Sequence, residues 1–168
     1  MRIETERLTI THFTMDMAQA VHENSLDEDT SHFVPDEVFE TVECARETVA
    51  FLISCYDKEG MPLVYPVLHK DGTNIGYVQA VPMADGAWEI GYHVGKLYTG
   101  RGYATEAVQA FVPWIMDELH LSALLGVCLV ENIASIRVLE HCGFEKTYEG
   151  GGQYQGEEKQ ICKFVYRK

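Results

Sequence analysis

The sequence predicts a single mixed α/β domain, residues 1–168, built on a mostly antiparallel sheet. Three observations carry this. Period-2 stretches recur along the chain and are separated by short turn signals, as in antiparallel strands. Helical spacings are interleaved with those stretches instead of gathering at one end. One long helix separates two of the strand stretches, which implies a parallel crossover between them.

ERLTITHF (6–13) sets Leu8 and Ile10 against Thr9 and Thr11 and reads as the first strand. Thr14 caps a short helix over TMDMAQAVHENS (14–25). The acidic stretch LDEDTSHFVPDEVFE (26–40), which contains Pro35, reads as a loop or helix fragment on the surface. Thr41 caps a longer helix with Val42, Ala45, Val49, Leu52, Ile53 and Tyr56 on one stripe. MPLVYPVLHK (61–70), TNIGYVQAVPM (73–83) and WEIGYHV (88–94) form a meander, with turns at Asp71-Gly72 and at ADG (84–86). In the last of these strands Trp88, Ile90, Tyr92 and Val94 share one face; Glu89, Gly91 and His93 share the other. Ala104, Val108, Phe111, Val112, Ile115, Met116 and Leu119 then keep helical spacing, with a kink expected at Pro113. The apolar run LSALLGVCLV (121–130) reads as a buried central strand. ENIASIRVLEHCGF (131–144) is a helix with Ile133, Ile136, Val138 and Leu139 as its apolar positions and Gly143 as its stop. A final strand pair is joined by GGGQYQG, in which Gly150–Gly152 read as a flexible turn and not a phosphate loop, since no helix follows. The total is seven strands and about four helices.

The chain is long enough for a real core, and 46% hydrophobic with 23% charged residues excludes a disordered segment. It has no apolar run of membrane-spanning length. MRIETERLTI lacks the apolar centre of an export signal, so a cytoplasmic location is expected. Cys44, Cys55, Cys128, Cys142 and Cys162 show no CxxC spacing and the histidines no HExxH, so neither a disulfide framework nor a metal is expected. A net charge of −13 disfavours nucleic-acid binding. It serves either solubility or attraction of a cationic substrate.

YTGRGYATEAV (98–108) stands where a strand ends and a helix begins. Gly100 and Gly102 permit unusual backbone angles there. The amides that open a helix lack intrahelical partners and carry the positive end of its dipole. The stretch is therefore either a plain turn or a cradle for an anion, most often phosphate. A nucleotide-binding protein of another kind fits less well, because there is no Walker lysine and no dinucleotide fingerprint.

With GRGYATEA and ENIASIRVLEHCGF at this separation, the chain resembles the GNAT-type N-acetyltransferases over Ile3 to Tyr166. More narrowly, it resembles the branch containing the ribosomal-protein N-terminal acetyltransferases. The resemblance implies a sheet splayed between its fourth and fifth strands, with the pantetheine of acetyl-CoA lying in the gap. Two parting strands leave backbone groups unpaired, which an amide-rich arm can satisfy. Carried over by position, Tyr92, His93 and Val94 contact the acetyl-pantetheine end, and Gly100, Arg101, Gly102, Tyr103, Ala104 and Thr105 form the pyrophosphate loop. Thr99 departs from the family's usual Gln or Arg. Arg101 either adds charge to a phosphate or faces solvent. Asn132 matches the family residue that contacts pantetheine, and also suits an N-cap. The family's tyrosine acid is Leu139 here. The resemblance moves that role to Ser135, which otherwise reads as a helix serine bonded to a preceding carbonyl.

The implied reaction is N-acetyl transfer (EC 2.3.1.-) from acetyl-CoA to a primary amine, either a protein N-terminus or a small molecule. A CoA-binding module with little or no catalysis is the alternative. Transfer requires the amine to lose a proton, from a pKa of about 10 for a lysine-type ammonium or about 8 for an α-amine. Glu89 is the first candidate base, acting directly or through water, unless it merely faces solvent; His93 shares its face. A base used by other members falls on Val127 and is absent. Asp27, Glu28, Asp29, Asp36 and Glu37 either attract an amine, polyamine or basic peptide, or are solvated surface. Phe33, Phe39, Tyr148 and Tyr154 are candidate pocket walls. A homodimer is compatible with the fold.

Overall fold

The computed structural model describes residues 1–168. Its strands are β1 (Ile3–Glu4), β2 (Leu8–Ile10), β3 (Leu63–His69), β4 (Asn74–Pro82), β5 (Trp88–Val94), β6 (Ala123–Leu129), β7 (Glu145–Tyr154) and β8 (Glu157–Arg167). They form one sheet in the order β1-β2-β3-β4-β5-β6-β8-β7. The helices are α1 (Ala18–Ser25), α2 (Glu28–Phe33), α3 (Val42–Cys55), α4 (Tyr103–Glu118) and α5 (Ile133–His141). The count is thus eight strands rather than seven, because Ile3–Glu4 folds back on β2 with Ile3 opposite Ile10. Two residues are too few for alternation to register. The fifth helix is α2, where Asp27 accepts from the Thr30 amide at 2.9 Å.

The meander folds as its turns dictate. Gly72 sits at φ +91° and Asp71 Oδ1 accepts from the Thr73 amide at 2.9 Å. β5 pairs with β4 along its whole length, from Gly76 opposite Val94 to Pro82 opposite Trp88. β5 and β6 run parallel and meet at one register position only, Glu89 opposite Leu125. Beyond it the two strands part. β6 and β8 are again fully paired. The sheet is therefore split in its middle and held on both sides.

α4 supplies the core on one face: Val108, Phe111, Val112, Ile115 and Met116 are buried there with Ile75, Val78, Ala80, Ile90 and Leu124. Burying side chains of this size stabilises by about 1.5–3 kcal/mol each before entropy is counted. Pro113 lies on the exposed side of α4, which continues through it to Glu118. A smaller cluster of Phe13, Val49 and Val64 lies apart from that core and packs with Val21, Leu52 and Tyr77.

Three local expectations change. The Thr14 hydroxyl makes no capping bond, because the chain enters α1 through a 3-10 turn at Met15–Met17. Thr41 does cap α3, accepting from the Cys44 amide at 3.2 Å. Gly150–Gly152 lie inside β7, and the hairpin turns instead at Gln155 and Gly156, φ +50° and +77°. Two successive positive φ values are the type I′ geometry that suits a twisted hairpin. Ile133 is 52% exposed at the start of α5, while Leu139 is the helix residue that is fully buried.

Candidate active site

The chain leaves β5 at Val94, makes a 3-10 turn at Lys96–Tyr98, and enters α4 through Gly100 and Gly102 at φ +74° and +79°. The first helical bond is Glu106 N–H to Gly102 C=O, at 3.0 Å. The amides of Gly100, Arg101, Gly102, Tyr103, Ala104 and Thr105 donate to no acceptor in the chain. Gly102 is the N-cap, so no capping side chain competes for them. Six unpaired donors at a helix N-terminus make an anion cradle. The Arg101 side chain is exposed.

This loop is buttressed by residues that sequence reasoning missed. Arg7 donates Nη1 to the Arg101 carbonyl at 2.9 Å and Nε to Glu106 Oε2 at 2.6 Å, and its guanidinium lies 4.5 Å from the Tyr103 ring centre. Thr5 Oγ1 donates to Glu106 Oε1 at 2.6 Å. Burial alone would raise the Glu106 pKa, but these bonds from Thr5 and Arg7 hold it below the usual range. A Glu in the first turn of a helix was the available signal; its partner, 99 positions away, was not.

From the loop a groove of about 420 Å³ runs inward along Val94, Thr99, Ala104, Asn132, Ile133 and Ser135. A second cavity, of about 500 Å³, enters from the other side and is walled by Glu37, Gln79, Glu89, Val127 and Tyr154. The two share Val34, Tyr92, Asn132 and Ser135. They meet where β5 and β6 diverge.

At the junction, Tyr92 Oη lies 3.0 Å from the Ser135 carbonyl and 2.8 Å from Ser135 Oγ. A carbonyl only accepts, so the phenol proton goes there and the Ser135 hydroxyl donates to Tyr92. Burial pushes the Tyr92 pKa up. Asn132 Oδ1 accepts from the Ser135 amide at 3.1 Å, so it is the N-cap of α5 while lining both cavities.

Glu89 projects into the second cavity, where burial raises its pKa to about 7. As the β5 member of the single β5–β6 pair, it stands at the apex of the split. His93, the other base candidate, is engaged: its Nε2 lies 2.7 Å from Thr30 Oγ1, which donates to Asp27 Oδ2 at 2.8 Å. Its ring stacks on Tyr77 at 5.6 Å, and burial lowers its pKa.

The acidic stretch separates by role. Asp27 caps α2, Asp29 pairs with Lys96, and Asp36 accepts from Gln155 Nε2 at 2.8 Å. Glu37 turns inward; burial raises its pKa to about 7, and its Oε2 has no partner. Residues 27–37 thereby bridge the split, held to the β5 side by Thr30–His93 and Asp29–Lys96. On the far side they are held by His32–Glu131 at 2.7 Å and by the Tyr154 hydroxyl, which donates to Phe33 C=O at 3.0 Å. Tyr148 lies elsewhere, 43% exposed on β7. No three His, Cys, Asp or Glu side chains converge as a metal-binding group, and no helix is long and apolar enough to cross a membrane.

A split mixed sheet, a helix-capped anion cradle and a second cavity opening on the same point define an acyltransferase. The model of the acetyltransferase (GNAT) domain matches residues 7–145, and the chain belongs to that family. It is 32% identical over 148 residues to the uncharacterized N-acetyltransferase YnaD of Bacillus subtilis (strain 168), covering 87% of this chain and 84% of that protein. Among solved structures it is similar to a GNAT-family acetyltransferase from Bacillus anthracis: TM-score 0.84, 26% identity, 99% of this chain and 98% of that one. It also shares the fold of RimL, the ribosomal L7/L12 α-N-protein acetyltransferase, solved in complex with coenzyme A: TM-score 0.83, 18% identity, 99% and 98% covered.

Proposed function

We propose that this chain transfers the acetyl group of acetyl-CoA to a primary amine by direct attack in a ternary complex. The observation that carries the reading is the run of unpaired amides from Gly100 to Thr105 at the mouth of the groove that ends at Tyr92 and Ser135. A pyrophosphate seats on those amides, where the α4 dipole and six donors favour negative charge. The pantetheine arm then follows β5 past Val94, His93 and Tyr92 as a surrogate strand in the split, with Asn132 opposite. The 52% exposed Ile133 gains an apolar cover from the arm. The structural neighbour solved with coenzyme A supports the choice of ligand.

The amine enters through the second cavity. Glu89, ionised above about pH 7, takes its proton. Attack on the thioester carbon develops an oxyanion, which the Val94 backbone amide stabilises. Collapse breaks the C–S bond and releases a thiolate with a solution pKa of about 8.5. Ser135 supplies that proton by turning its hydroxyl from Tyr92 to the sulfur, the second proton shed by the amine nitrogen restores it, and Tyr92, its own proton on the Ser135 carbonyl, holds the hydroxyl in place. This pair stands in for the tyrosine missing at Leu139, which is buried beneath Gly126.

A melting-temperature titration with acetyl-CoA, using CoA, ATP and NAD as controls, tests the cofactor. At a hundredfold excess over Kd, binding stabilises by about 2.7 kcal/mol. No shift with acetyl-CoA or CoA rejects the reading. A shift without turnover on any amine leaves a CoA-binding module, the reading that Leu139 favours.

A further inference from the structure

Three carboxylates line the cavity behind the split; Asp36 is bonded by Gln155 Nε2, and two others, Glu89 and Glu37, stand where acetyl transfer needs one. Glu89 comes from β5 in the sheet, and Glu37 comes from the 3-10 turn Pro35–Glu37 in the strap above it. Neither is paired with a cation of the chain, and Glu37 Oε2 is buried without any partner. Lys163 reaches the same cavity, but its ammonium lies over the Tyr148 ring at 5.5 Å. Apart from Asp36 the remaining polar wall is neutral: Gln153, Tyr154 and Gln79, whose amide beside the Glu37 carboxylate offsets part of the cost of its burial. Removing a carboxylate from water without a cation is costly, and at Glu37 the neighbouring Asp36 charge adds repulsion. A monoamine at Glu89 relieves one of them and leaves Glu37 as it was. A ligand with two ammonium groups relieves both.

We propose that the acceptor is a small aliphatic diamine, one nitrogen delivered to Glu89 for acetylation and the other held as an ammonium by Glu37. This rests on the acetyl-transfer reading above. The size agrees: about 500 Å³ is a small-molecule cavity. The strap closes it over a compact ligand through Asp36–Gln155 and Phe33–Tyr154. The second carboxylate acts as a selector, since a charge-assisted bond to Glu37 is available only to a ligand with a second cation.

The test is calorimetric titration of the protein, with and without CoA, against 1,4-diaminobutane, butylamine and an uncharged-side-chain peptide with a free α-amine. The expected result is diamine binding about tenfold tighter than monoamine, from one added charge-assisted bond. In Glu37→Gln that ratio falls to near one, and Glu37→Asp recovers part of it. Glu28→Gln, an exposed carboxylate of the same segment outside the cavity, keeps the ratio. Equal affinity for the two amines, a preference that survives in Glu37→Gln, or tightest binding of the peptide would each overturn the proposal. The readout is binding, so the two ideas fail separately. Glu37-dependent diamine binding without acetylation sinks the transfer reading alone; acetylation of monoamines without diamine preference sinks this one alone.

Discussion

Tyr92 Oη and Ser135 Oγ stand 2.8 Å apart at the point where the groove from the Gly100–Thr105 loop and the cavity holding Glu89 meet. The pair joins β5 to the first turn of α5, the two elements that flank the split. It also places the Ser135 hydroxyl, held by Tyr92, at the junction where the proposed transfer would release the sulfur.

If the two hydroxyls act as one unit, Tyr92 positioning Ser135, removing either breaks it. Tyr92→Phe and Ser135→Ala are each expected to lower kcat by about a hundredfold, the usual scale of a lost acid. The double variant is expected to be no slower than the slower single one, because members of a unit are not additive. Steady-state kinetics on all three, with acetyl-CoA affinity measured separately, decides it. Full multiplicativity would mean that the hydroxyls act independently.

Gly102 needs its glycine for backbone angle and not for space. At φ +79° a Cβ would meet only Arg7 Nη2, at 3.5 Å. Gly102→Val forces a β-branched residue into the left-handed region, at about 1–2 kcal/mol, or makes the loop abandon that shape. Either way the amides no longer converge. Acetyl-CoA affinity is expected to fall at least about tenfold on that energy scale, with the fold retained. Unchanged affinity in a titration would remove the loop from the binding site.

Arg7 reaches the same loop from the opposite end of the chain. Arg7→Ala leaves the Glu106 carboxylate in the first turn of α4 with its bonds from Thr5 and the residue-7 amide but no cation. The expected loss is about 1 kcal/mol of stability for this partly exposed pair, together with weaker acetyl-CoA binding as the Arg101 carbonyl is released. Thermal melts with and without ligand check both. Arg7→Lys restores the charge but not the fork that spans Arg101 and Glu106, and is expected to recover only part.

These residues show which parts of the site were legible in the chain alone. β5 was readable because Trp88, Ile90 and Tyr92 pack toward one side, and alternation records that directly. The loop was readable because Gly100 and Gly102 fall between a strand pattern and a helix pattern, and both do adopt positive φ. Gly150–Gly152 misled for a physical reason. A Cβ on Gly152 would meet Ile161 Cδ1 at 2.5 Å, and one on Gly150 would meet the Tyr148 hydroxyl at 2.8 Å. Those glycines make room for neighbouring side chains within a strand, and composition cannot separate that from a turn. Glu37 was one acid among five. Its burial follows from Tyr154 and Gln155 anchoring the strap from more than a hundred residues away, which no local pattern records.

Glu89 ties activity and stability to pH in opposite directions. Its pKa is raised by burial from 4.5 to about 7, so the proposed base is mostly ionised only above that value. The acetylation rate is expected to climb with pH through about 7, and Glu89→Gln to lose that limb together with most of the rate. In stability the folded chain keeps a proton that the unfolded chain has already released. The stabilising contribution is complete below about 4.5, shrinks as pH rises, and is gone above about 7. Glu89→Gln should therefore melt higher than the unaltered protein at pH 8 and show a smaller gap at pH 4. Glu37, raised to about 7 as well, keeps part of the pH dependence in that variant. Melting curves at the two pH values test the sign. A Glu89→Gln protein less stable at pH 8 would mean that the carboxylate is favourably partnered in the fold, and a base in that state could not take the proton of the amine.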